Sequence, residues 1–159
     1  MPNETLVLIV EDNDDDVFML RHAFRKAGIT NPTHVVRTGE DAIAYLAGAA
    51  PYTDWNKFPL PSIVLLDLKL PGLGGLDVLA WIRRTPGLQN LRVAIITGCG
   101  LDHEMHQAHE LSANWFTTKP GSHRSLIEMM KTFRLHWLVF SQAPHVSRPL
   151  QAAAQNHAP

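Results

Sequence analysis

The sequence predicts an α/β domain built on a doubly wound, five-stranded parallel sheet, a three-layer α/β/α sandwich. Three observations predict it. Short, continuous apolar runs recur along the chain, amphipathic helical patterns separate them, and most of the runs stop abruptly at a polar residue. Continuous rather than alternating apolar runs suit strands covered on both faces. Five strand-then-helix units in succession imply right-handed crossovers and a parallel sheet.

The first run, Leu6 to Val10, is rich in β-branched residues. Asn13 then caps a helix whose first turn carries Asp14, Asp15 and Asp16, which complement the helix dipole. Val17, Leu20, Phe24 and Ala27 follow helical spacing and Gly28 ends the pattern. His34 to Val36 reads as a second strand, and Gly39 to Leu46 as a second helix with Ala42, Ile43 and Leu46 on its apolar face. Residues 47–61, rich in Pro, Gly and aromatics, read as a surface loop. Ile63 to Leu66 is the most apolar strand and runs straight into Asp67. Leu76 to Arg83 predicts a third helix, entered through Gly72, Gly74 and Gly75 and ended by Pro86. Val93 to Ile96 is a fourth strand and Asp102 to Leu111 a polar fourth helix. Asn114 to Thr118 is a fifth strand. Ser122 to Phe140 is a final helix with Leu126, Ile127, Met130, Phe133 and Trp137 on one side. This assigns residues 1–140 to the domain and 141–159, rich in Ala, Gln, Pro and His, to a loosely held, flexible C-terminal tail.

Composition narrows the function classes. The chain has 159 residues, one domain's worth, and 45% are hydrophobic against 18% charged, which excludes a disordered or coiled-coil chain. Fourteen basic and fifteen acidic residues give a net charge of −1, so bulk charge offers no case for nucleic-acid binding. The single cysteine, Cys99, excludes an internal disulfide and fits a reducing compartment. No basic segment precedes an apolar leader and no run approaches a membrane span, so a soluble cytoplasmic protein with no membrane partner is expected. Charge is uneven: residues 1–16 hold Glu4, Glu11, Asp12, Asp14, Asp15 and Asp16 with no Lys or Arg.

In an open parallel sheet the ligand site lies at the carboxyl ends of the strands. There the sequence places Glu11 and Asp12, Asp67, Thr97, and Lys119 before Pro120. Three carboxylates in one crevice raise each other's pKa, a conflict that a hard divalent cation such as Mg²⁺ resolves. A lysine adds a point charge suited to a phosphoryl oxygen, and the Thr97 hydroxyl can donate to another. Asp14 to Asp16 read as a solvated helix start. His103, His106 and His109 share a helix face but read as solvated, since no second ligand cluster supports a metal. The spacing of Gly72, Gly74 and Gly75 fits neither a P-loop nor a dinucleotide fingerprint. Trp137 and Phe140 read as core or as half-exposed dimer anchors.

The motifs IVEDN at 9–13, LLDLKLPG at 65–72, IITG at 95–98 and TKP at 118–120 resemble the receiver domain of two-component response regulators, over about residues 5–140. The resemblance implies a flavodoxin-like fold and a stand-alone phosphorylation switch. Asp67 would accept a phosphoryl group from a histidine kinase. Glu11, Asp12, Asp67 and the backbone carbonyl of Lys69 would hold Mg²⁺. Lys119 would pair with Asp67 or the phosphoryl group, Thr97 would turn toward it, and Phe116 falls at the aromatic switch position. The Lys119–Pro120 bond would be cis. The segment VEDNDDDVFMLRHAF, the loop at Pro51–Pro61 and LHWLVF at 135–140 resemble single-domain regulators that partner phytochrome-type kinases. That likeness implies a homodimer through helix four, strand five and helix five, or through the last helix. A phosphoacceptor with at most slow self-dephosphorylation is expected, not an enzyme. The alternatives are a Mg²⁺-dependent phosphohydrolase with an aspartate nucleophile, which would want a second Asp where Lys69 stands, and a degenerate receiver acting as a constitutive binding module.

Overall fold

The computed structural model describes residues 5–140 and 144–149. Five parallel strands, β1 (Val7–Val10), β2 (Thr33–Val36), β3 (Ile63–Leu66), β4 (Arg92–Thr97) and β5 (Trp115–Thr118), lie in the order β2-β1-β3-β4-β5. They alternate with α1 (Asp14–Lys26), α2 (Gly39–Ala47), α3 (Gly75–Arg84), α4 (Asp102–Glu110) and α5 (His123–Phe133). In register, Leu66 pairs with Val10 on one side and with Ile95 on the other, and Thr97 pairs with Thr118. The strand ends that carry polar residues therefore finish along one edge of the sheet.

Side chains alternate across the sheet as the two-residue strand period requires. Val7, Ile9, Ile63, Leu65, Ala94 and Ile96 face α1 and α5, where they meet Ala23, Phe24, Met130 and Phe133. Leu8, Val10, Val64, Leu66, Val93 and Ile95 face the other way, against Ala42, Tyr45, Leu46, Val78, Leu79, Ile82 and Ala108 of α2, α3 and α4. Both faces are dry, which is why the strands read as unbroken apolar runs.

Helix starts follow local chemistry. Asn13, Thr38 and Ser122 each accept, through a side-chain oxygen, the N–H of the residue three positions on. Gly48 ends α2 in the left-handed conformation.

Three expectations need correction. The final helix is α-helical only to Phe133; Arg134–Val139 is a π-helical continuation, in which the Phe140 N–H reaches back to the Leu135 carbonyl. The wider turn lets Trp137 and Leu138 both pack against the α1–α5 core. Phe140 is left 78% exposed. Residues 47–61 are not simply a surface loop. Tyr52 is buried, its hydroxyl donates to Asp41 (2.7 Å), and it packs with His34, Tyr45 and Phe58 in one aromatic group. Finally, the one cis X-Pro bond among the described residues is Ala50–Pro51, so Lys119–Pro120 is trans. Lys119 is placed instead by its own N–H, which donates to the Thr97 carbonyl (2.7 Å).

Part of the stretch expected as a loosely held tail lies against the domain. The Ser147 N–H donates to the Gly87 carbonyl (2.8 Å), Val146 packs on the core, and Arg148 is buried, donating to the Tyr45 carbonyl (3.3 Å) and to the Phe58 carbonyl. The Arg148 guanidinium also lies over the Trp55 ring (5.1 Å). The remainder of that stretch, 141–143 and 150–159, lies outside the described residues.

Phe133 is fully buried and stacks between Phe24 (6.2 Å) and Trp115 (5.9 Å), joining α1, β5 and α5. Phe133→Ala is expected to lower unfolding free energy by about 3–5 kcal/mol, read from urea denaturation. A loss under about 1 kcal/mol would contradict this packing.

Candidate functional site

The polar strand ends converge. β1 stops at Val10, and the Glu11 N–H donates to the Val36 carbonyl (3.0 Å), which extends the sheet by one residue and fixes where Glu11 begins. The Asp67 N–H does the same to the Val10 carbonyl (3.1 Å). Carboxylate oxygens of Glu11, Asp12 and Asp67 lie within 4.8 Å of one another; Glu11 and Asp67 are buried and Asp12 is exposed. α3 enters very close to the end of β3. A Cβ at Gly75 would stand 2.4 Å from the Asp67 carbonyl oxygen and 2.7 Å from Leu68 Cα, so only glycine lets the helix start here.

Lys119 offsets this negative charge. Its Nζ donates to Glu11 Oε2 (2.8 Å), Asp67 Oδ2 (2.9 Å) and Asp16 Oδ2 (2.7 Å). The other oxygen of Asp67 accepts the Lys69 N–H (3.0 Å), and the other oxygen of Glu11 accepts the Asn13 N–H (3.1 Å). Burial pushes the Glu11 carboxyl up to about 7; Lys119 counters this, and neighbouring Asp67 adds to it. Asp67 also suffers from burial, yet hydrogen bonds from Lys119 and the Lys69 N–H outweigh it and hold its carboxyl below the ordinary range. Burial likewise disfavours the Lys119 ammonium, but bonds to Asp16, Glu11 and Asp67 prevail and raise it above the usual lysine range.

The sequence-predicted residues thus separate into groups. Glu11, Asp12, Asp67 and Lys119 come together. Thr97 ends β4, fully buried, and its hydroxyl has no hydrogen-bond partner among the described residues. Lys69 contributes its N–H to Asp67, while its side chain turns away and pairs with the buried Glu104 of α4 (3.2 Å to each oxygen). Phe116 is half-buried beside the α2–α4 core, close to Gly100. His103, His106 and His109 are exposed.

Sequence reasoning missed two residues. Asp16, read as part of a solvated helix start, is a Lys119 partner, and Asp14 pairs with Arg37. Nothing in a run of three aspartates distinguishes these fates. Glu104 also went unread, because a carboxylate in a polar helix gives no sign of burial.

The donor set fits a hard divalent cation: three carboxylates, two of them buried, with water-accessible room on the Asp12 side. Next to these acids, a cavity of about 170 Å³ opens between α1, α5 and the sheet, lined by Asp16, Met19, Leu20, Ile96, Lys119 and Leu126 among others.

Residues 7–131 match the family described as "Response regulator receiver domain". The chain is 30% identical over 139 residues to the "Probable methanogenesis regulatory protein FilR2" of Methanothrix harundinacea, covering 87% of each chain. It is 29% identical over 133 residues to "Response regulator Rcp1" of Synechocystis, covering 84% of this chain and 88% of Rcp1. The Mn²⁺-bound crystal structure of Rcp1 superposes with a TM-score of 0.79 at 28% identity, covering 88% of this chain and 99% of that one. The phosphorylated cyanobacterial phytochrome response regulator RcpA superposes at 0.80 and 27%, covering 87% and 97%.

If Glu11, Asp12 and Asp67 share a cation, Mg²⁺ should stabilise the fold. At about 100 times its Kd the expected gain is roughly 2.7 kcal/mol, seen as a melting-temperature rise of several degrees over matched ionic strength. Asp12→Ala, an exposed change, should lose most of that rise. An equal rise in the variant would contradict the shared site.

Proposed function

The chain belongs to the response regulator receiver domain family, the phosphoacceptor partner in two-component signalling, and on that premise we propose that Asp67 is the acceptor. The observation that carries this is the placing of both Asp67 oxygens, one held by the Lys69 N–H and the other by Lys119, in a buried acid cluster. Glu11, Asp12 and Asp67, with the Lys69 carbonyl, would hold Mg²⁺, which when bound supplies neutralising charge beside the phosphoryl oxygens.

An Asp67 oxygen attacks the phosphorus of a kinase phosphohistidine; the P–N bond breaks, the electron pair leaves with the imidazole, and an acyl phosphate forms on Asp67. Lys119 is already within hydrogen-bond distance of Asp67, so its ammonium can pass from the carboxylate to a phosphoryl oxygen with little movement. The buried Thr97 hydroxyl is a donor lacking an acceptor among the described residues, and an arriving phosphoryl oxygen would supply one. The register sets Thr97 two residues beyond Ile95 and Asp67 one beyond Leu66, on neighbouring strands. Thr97 then turns toward the phosphoryl group, and Phe116, half-buried on β5, is the aromatic switch that follows it.

In this reading the chain is a stand-alone phosphorylation switch whose protein-binding surface is formed by α4, β5 and α5. It is not a turnover enzyme. Where a phosphohydrolase would want an acid–base carboxylate, two residues past Asp67, stands Lys69, with its ammonium committed to Glu104. The kinase is of the phytochrome type, supported by the likeness to the cyanobacterial phytochrome response regulator RcpA. The exchange takes place in the cytoplasm, where phosphohistidine is made. Leu135, Val139 and Phe140, exposed at 45%, 48% and 78%, favour a homodimer through the last helix.

Incubation with acetyl phosphate and Mg²⁺ should add one phosphoryl mass to the intact chain, and neither Asp67→Asn nor wild type in EDTA should gain it. An adduct on Asp67→Asn, or none on wild type, would overturn the assignment.

A further inference from the structure

An ammonium has three N–H bonds, and each of those on Lys119 has its own carboxylate: Asp16 at 2.7 Å, Glu11 at 2.8 Å and Asp67 at 2.9 Å. Two of these acceptors belong to the converging acid trio. Asp16 does not; among the described residues the trio is Glu11, Asp12 and Asp67. Asp16 stands instead on the first turn of α1, its side chain 43% exposed, across the site from the strand end that carries Lys119. Its backbone is pinned, since its N–H donates to the capping Asn13 side chain (3.0 Å).

The three bonds differ in what happens to them when the site is used. A cation drawing on Glu11 and Asp67 competes for the oxygens that now bind Lys119. Phosphorylation then turns the Asp67 carboxylate into an acyl phosphate and moves its charge outward. Asp16 alone keeps both its charge and its lone pairs through every state. We propose that Asp16 is a positioning residue for the reaction: it tethers the Lys119 ammonium on the α1 side of the site, so that the lysine stays poised for phosphoryl oxygens while its other partners change. Without Asp16 the ammonium is held by Glu11 and Asp67 alone, where it competes with a cation for their oxygens.

This rests on Asp67 being the acceptor, and one experiment separates the two claims. The initial rate of adduct formation from acetyl phosphate is followed by intact mass at saturating Mg²⁺, a small donor that needs no kinase docking. Asp16→Ala should slow the rate about tenfold, and Asp16→Asn, which keeps an oxygen acceptor without the charge, about threefold. In a Lys119→Met background, followed over hours, Asp16→Ala should change the residual rate by less than about twofold, because the tether then has nothing to hold. A merely structural role for Asp16 would lower the melting temperature and give the same loss in both backgrounds. Adduct on wild type with an undiminished rate in Asp16→Ala, or equal rates for the Ala and Asn variants, overturns the tether and leaves the acceptor standing. No adduct on wild type overturns the acceptor and the tether with it.

Discussion

The structure at this edge of the sheet depends on one ammonium group. Glu11 and Asp67 are both buried, each beside the other's charge, and Asp12 is close by. Burial first, and the neighbouring charge second, drives such carboxylates toward protonation, and Glu11, raised to about 7, shows that pressure. Lys119 opposes it from 108 and 52 residues away along the chain. Removing one member of a buried ionic cluster costs several kcal/mol, because it strands the charge that remains. The cluster is therefore poised: Lys119 balances its charge well enough to fold, and a divalent cation is a second source of positive charge that would suit the same oxygens.

That poise reaches beyond the acids. The loop after Asp67 carries Lys69, whose N–H donates to Asp67 and whose ammonium meets Glu104 on α4. Glu104 is buried and Lys69 is its hydrogen-bond partner, so this loop and α4 are joined by charge. Thr97, whose hydroxyl has no partner among the described residues, ends the neighbouring strand β4.

Much of the fold was legible because the three central strands are buried on both sides and the helices on one, and these two conditions leave different marks in a sequence. The continuous runs at 7–10, 63–66 and 93–96 and the spacing of Leu126, Met130 and Phe133 are such marks. The acid, lysine and threonine positions could also be read, because a polar residue directly after a buried strand has only one place to go. What escaped was whatever depends on distant partners. Asp14, Asp15 and Asp16 are identical in type and adjacent in sequence, yet one meets Arg37 and another Lys119. The aromatic group around Tyr52 was hidden by loop-like composition. The docking of Arg148 was hidden by a low-complexity neighbourhood. The π-helical end of the last helix depends on packing of Trp137 and Leu138 that no local pattern announces.

The most direct test of the account is a crystal structure of the chain grown with Mg²⁺ and beryllofluoride, a mimic of the bound phosphoryl group. The account predicts the metal among Glu11, Asp12, Asp67 and the Lys69 carbonyl. It further predicts the fluoride group on an Asp67 oxygen, with Lys119 and Thr97 donating to its fluorines. A vacant acid cluster, with Lys119 still bridging Glu11 and Asp67 at saturating concentrations of both reagents, would contradict it.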